Sequence, residues 1–113
     1  MCSKDTITMA LDEVRDGLSA IFGRKLQNVL LYGSYARGDQ DEESDVDVLA
    51  LVSLPMKELD AYEDATLDLS VTVGLRYDRL FSILLQDTET FTKYKKAVPF
   101  FQNVMREGIS LVR

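Results

Sequence analysis

The first apolar pattern along the chain is helical. Ile7, Leu11, Val14, Leu18 and Ile21 recur at alternating steps of four and three, which puts them on one face of an amphipathic helix that Gly23 would end. Leu26 to Tyr32 is a short apolar run closed by Gly33, the pattern of a buried strand. Residues 38–44 are polar and read as a loop. From Asp45 to Val52 both alternating faces are apolar beyond the two carboxylates, so this strand is expected at the centre of a sheet with both faces covered.

The second half offers two periods at once. Pro55 suits the first turn of a helix, and Lys57 to Ala65 are mostly good helix formers. Leu67, Leu69, Val71, Val73 and Leu75 alternate at strand period, yet Leu67/Val71 and Leu69/Val73 are also helical pairs. A helix from Pro55 to about Arg76 is the expectation. Leu80 to Leu85 then reads as a further strand, within about residues 79–86, followed by a polar break at Gln86-Asp87-Thr88. Pro99 opens a last helix that Gly108 ends, and Ile109 to Val112 would add a short edge strand. Residues 1–113 are expected to form one domain, without repeats or linkers.

Composition narrows the chemistry. The formal charge is −6, from 19 acidic and 13 basic residues with no long basic run, which disfavours direct nucleic-acid binding. A nucleotide with bound metal stays compatible, because the ion brings its own positive charge. Cys2 is the only cysteine and there is no histidine, so an intrachain disulfide, a cysteine metal cluster, Ser-His-Asp and Cys-His catalysis and ordinary zinc sites are excluded. No apolar run approaches the ~20 residues of a membrane span, and the first residues lack an apolar signal core. A cytoplasmic protein is the expectation.

The chemistry concentrates between Leu31 and Val52. On a strand, residues two apart share a face, so Asp45 and Asp47 would lie side by side and repel unless a cation joins them. Magnesium suits one or two carboxylates supplemented by phosphate oxygens and water. Taken alone, Asp-x-Asp also describes an exposed strand end, and Gly33-Ser34 an ordinary N-capped turn. Together they describe more. A phosphate cradle at the end of one strand would face a metal pair at the start of the next, provided that the two strands are neighbours.

The string Gly33-Ser34-x-x-Arg37-Gly38-x5-Ser44-Asp45-x-Asp47 resembles the signature of the polymerase-β-like nucleotidyltransferases. The nearest likeness is to minimal single-domain members, often paired with a HEPN-domain protein as a toxin–antitoxin module. The resemblance implies an α/β (α+β) nucleotidyltransferase fold, a small mixed β-sheet flanked by helices. It implies Asp45 and Asp47 as catalytic metal ligands for Mg2+. It assigns Gly33, Ser34, Arg37 and Ser44 to the nucleotide, with Ser44 also supporting the loop before the metal strand. It also implies a HEPN-domain partner. The family's third carboxylate falls at Ser82 in this sequence, which leaves that ligand unassigned, with Asp68 and Asp78 as the other acids to consider.

The expected activity is transfer of a nucleoside monophosphate from an NTP, ATP foremost, to a hydroxyl acceptor. The alternative is a catalytically weak, antitoxin-like binding module that neutralises a HEPN-type partner. Ser82 and the small size favour the alternative, and Phe91, Tyr94, Phe100 and Phe101 supply aromatic surface either for a partner or for the core. A drug-modifying transferase would need a further domain to hold its acceptor and ranks last.

Overall fold

The computed structural model describes residues 4–41 and 44–112. Cys2 and the Glu42-Glu43 pair of the acidic loop lie outside the described residues. The elements run α1 (Lys4–Phe22), a 3₁₀ turn (Gly23–Lys25), β1 (Leu26–Tyr32), α2 (Ser34–Arg37) and β2 (Val46–Val52). They continue with α3 (Met56–Leu59), a second 3₁₀ turn (Asp60–Tyr62), α4 (Glu63–Tyr77), β3 (Phe81–Asp87), α5 (Thr88–Tyr94), α6 (Pro99–Glu107) and β4 (Ile109–Ser110).

Four strands form one mixed sheet in the order β3-β2-β1-β4. β1 pairs antiparallel with β2 and β4, and β2 pairs parallel with β3. The mixed α/β architecture expected from the sequence is present. β2 takes the central position that its two-sided apolar pattern requires: Val46, Val48, Ala50 and Val52 are buried on one face, Leu49 and Leu51 on the other.

Each face has its own helical cover. Ala10, Leu11, Val14 and Leu18 of α1 pack with Val73 of α4 over Val29, Leu31 and the valines of β2. Gly17 lets α1 and α4 close together, because a Cβ there would collide with the Leu69 side chain. Buried Thr66 and Ser70 donate their hydroxyls to the carbonyls of Tyr62, in the preceding 3₁₀ turn, and Leu67, at 2.8 Å each. On the opposite face Phe91, Phe101 and Val104 cover Leu49 and Leu51. Phe91 and Phe101 are therefore core, whereas Tyr94 and Phe100 remain 44% and 38% exposed.

Four expectations are corrected. The strand expected from Asp45 begins at Val46, leaving Asp45 exposed ahead of it. The single helix expected from Pro55 to Arg76 is broken by the 3₁₀ turn at Asp60–Tyr62, where the chain tightens and the Tyr62 ring reaches Phe22, 4.8 Å between centroids. The break expected at Gln86-Asp87-Thr88 is instead the join between β3 and α5: Asp87 ends the strand and caps the helix, accepting from Thr90 N–H at 2.8 Å. The last strand is confined to Ile109–Ser110. No helix among the described residues is long and apolar enough to cross a membrane.

Candidate functional site

The site is built where β1 ends. Gly33 follows Tyr32 with φ 77 and ψ −155, a conformation open to glycine alone. Its carbonyl accepts from the N–H groups of Ala36 and Arg37, both at 3.1 Å, which winds the chain into the short α2 turn. The Ser34 carbonyl accepts in turn from Gly38 and Asp39 at 2.9 and 3.1 Å. Gly33 and Ser34 thus form a tight corner between a strand and a helical turn.

The antiparallel register sets Tyr32 opposite Asp47. A Cβ on Gly33 would stand 2.5 Å from Asp47 Oδ2, so a side chain here would have to push the Asp47 carboxylate aside, while the backbone angle itself favours glycine. The expected adjacency of the strand ending at Tyr32 and the segment opening at Asp45 is present, and it brings the two motifs into contact. Asp47 is half-buried and its carboxyl is pushed up from its ordinary value, first by burial and then by the charge of Asp45, with Arg37 pulling the other way. Burial, with Asp47 adding to it, raises the Tyr32 phenol to about 12.

Two of the sequence-selected residues have structural partners. Ser44 closes the acidic loop: its hydroxyl accepts from Asp41 N–H at 2.9 Å and donates to Asp41 Oδ1 at 3.2 Å. Arg37 is held between Asp39, at 3.1 Å, and Glu107, at 3.2 and 3.3 Å, which raise its pKa further. Ser82 is the register neighbour of Asp47 on β3, so the place where a third acid was sought lies next to the pair. Asp68 sits exposed on α4, and Asp78 caps α4 with φ 55. Neither joins Asp45 and Asp47, and the described residues hold no cluster of three acidic, histidine or cysteine side chains fit for a metal.

Glu107 is the residue that sequence reading missed. It ends α6, yet its Oε1 accepts from Gly33 N–H at 3.1 Å while both its oxygens meet Arg37. No local motif marks it. Its partners are 74 and 70 positions away, and a charged residue in the last turn of a helix reads as solvated.

The chain matches the nucleotidyltransferase domain family over residues 11–103. It belongs to that family. Two candidate protein adenylyltransferases of Methanocaldococcus jannaschii, MJ0141 and MJ0604, are 36% and 31% identical to this nucleotidyltransferase over 105 and 99 residues. The first alignment spans 89% of this chain and 94% of the relative, the second 88% and 91%. Among solved structures, a toxin–antitoxin with AMP-PNP superposes with a TM-score of 0.58 at 22% identity, covering 98% of this chain and 73% of that one. A complex of tri-AMPylated Shewanella oneidensis HEPN toxin with MNT antitoxin gives 0.55 at 20% identity, covering 92% and 70%. These two likenesses concern the fold.

Proposed function

We propose that this nucleotidyltransferase moves AMP from ATP to a hydroxyl on a partner protein, with Mg2+ held by Asp45 and Asp47. The observation that carries the reading is the contact of the Gly33 corner with the Asp47 carboxylate, which sets a glycine turn against a metal-binding type of side chain. The relatives' names as protein adenylyltransferases support the protein acceptor.

The residues fit a magnesium ion in charge. Burial and the neighbouring Asp45 both disfavour the ionised form of Asp47, and a cation held by the two carboxylates would relieve that repulsion. Two carboxylates suffice, since magnesium keeps water and substrate phosphate oxygens as its remaining ligands. When bound, the ion supplies positive charge for the phosphates and for the developing negative charge of transfer.

The chain's own residues set the geometry. The Gly33 corner admits a phosphate close to the backbone, with the first N–H groups of α2 and the Ser34 hydroxyl as donors. Arg37, held by Asp39 and Glu107, fixes the exit of the turn and offers the rest of its guanidinium to phosphate. Ser44 keeps the acidic loop folded so that Asp45 enters beside Asp47. The acceptor oxygen forms a bond to the α-phosphorus, the α–β bridging bond breaks, pyrophosphate leaves, and the acceptor proton passes to solvent.

Ser82 favours a second reading, a HEPN-binding subunit in which transfer is slow. A hydroxyl beside Asp47 gives no third negative ligand. Incubation with α-labelled ATP and Mg2+, with and without a HEPN-domain partner, separates the two. Label on the partner that disappears with Asp47→Asn supports transfer. Co-purification without any label supports the binding module instead.

A further inference from the structure

α4 buries Thr66, Ser70 and Val73 yet leaves a row of apolar side chains at four-residue steps in the open. Leu67 is 60% exposed, Val71 51% and Leu75 80%. With Leu80 this row borders a groove of about 660 Å3 that also takes in Ser70 and Gly74. A second hollow, of about 330 Å3, shares Asp45, Leu67 and Ser70 with the first and extends to Ser82. The groove therefore runs from the end of α4 to the candidate transfer site. Single exposed leucines are ordinary on a protein surface, but a contiguous apolar row leading into a site marks a place of binding.

The surroundings of this row are acidic. Glu63, Asp45 and Asp78 line the two hollows, and Asp64 and Asp68 are exposed on the same helix. Arg79 is the one basic residue among the described lining residues. The Leu67-Val71-Leu75 row is itself an i, i+4 ridge, with buried Ser70 at the foot of the groove, a surface of the kind against which the ridge of another helix packs.

We infer that this groove seats a helix of the acceptor protein. That helix carries an apolar ridge at four-residue spacing with lysine or arginine on its flanks, and the Asp45 end of the groove is where the acceptor hydroxyl enters. Helix-in-groove recognition uses such i, i+4 anchors, and the acidic rim selects a basic flank while repelling acidic partners. A second copy of this chain is disfavoured as occupant, because a symmetric contact would set the same carboxylates against each other. The inference rests on the protein-acceptor reading for its biological meaning, but its binding test does not use transfer.

The probes are three synthetic helical peptides read by fluorescence anisotropy. One has leucines at i, i+4 and i+8 with lysine flanks, one replaces the lysines by glutamates, and one replaces the leucines by serines. The lysine-flanked leucine peptide binds at least about tenfold tighter than either control. Val71→Glu with Leu75→Glu, both at exposed positions, reduces that affinity at least about tenfold while leaving Mg2+-ATP binding and the melting curve unchanged. Equal binding of the three peptides, no binding, or indifference to the double substitution overturns the inference. A dimer seen in sedimentation that Leu75→Glu dissociates also overturns it, assigning the face to a second copy. Failure of the native chain to bind Mg2+-ATP counts against the proposed function and leaves the peptide result standing.

Discussion

Ser82 lies beside Asp47 on the parallel neighbour strand, one register step across the sheet. Ser82→Asp puts a third carboxylate next to the pair. Without metal the variant should melt lower than the native chain, because three like charges crowd one strand end. With Mg2+ the order should narrow or reverse, and Mg2+-dependent nucleotide affinity should rise at least about threefold. Thermal melts with EDTA or Mg2+, together with calorimetry, read both effects. A variant unchanged in both measurements would put Ser82 outside the metal environment.

Gly33→Ala tests the corner itself. The backbone angles at residue 33 cost a non-glycine residue about 1–3 kcal/mol, and the new methyl would press on Asp47 Oδ2. Loss of stability in urea and loss of nucleotide affinity are both expected. Full affinity in a folded Ala variant would remove Gly33 from the binding site.

Removing the charge of Asp47 should separate stability from binding. Burial and the neighbouring Asp45 both disfavour its ionised form, so Asp47→Asn should melt higher than the native chain in EDTA. The same variant should lose at least about tenfold in Mg2+-ATP affinity and should gain less stability from Mg2+ than the native chain does. A lower melting temperature in EDTA would contradict the account of the site's electrostatics.

Glu107 provides a test in two steps. Glu107→Ala removes the acceptor of Gly33 N–H and one of the two acids holding Arg37, at a cost of about 1–3 kcal/mol in stability. Glu107→Gln keeps an oxygen for Gly33 and should retain more than half of what Ala loses. The KM for ATP should rise several-fold in the Ala variant and less in the Gln variant. Identical behaviour of the two would show that the brace on Gly33 does not matter to the nucleotide.

The parts of the fold that the sequence disclosed were those with an unambiguous local pattern. α1 keeps one helical spacing along its length, β1 and β2 are short apolar runs, and the Gly33-Ser34 and Asp45-x-Asp47 motifs sit on or beside them. α5 was hidden because Asp87 belongs to two elements at once and only Phe91 of that helix is buried. The 67–75 stretch is helix, as expected, but its alternation did not show which side would be buried: Thr66, Ser70 and Val73 face inward, and the apolar 67, 71 and 75 positions are left outside. Glu107 was hidden for a different reason. Its role depends on α6 folding back onto the end of β1, a relation that no local pattern encodes.

The brace on Gly33 has a consequence for the order in which the molecule is made. Synthesis delivers the chain from its N-terminus, whereas a domain generally folds as a unit. The turn at Gly33 leaves the ribosome early, while the carboxylate that accepts its N–H is added 74 residues later. A nascent chain that has formed β1 and β2 already holds the glycine and the aspartates, but not the brace. The Gly33 corner therefore has its full set of hydrogen bonds only once residue 107 is in place, and a chain halted before it carries the motif without that support.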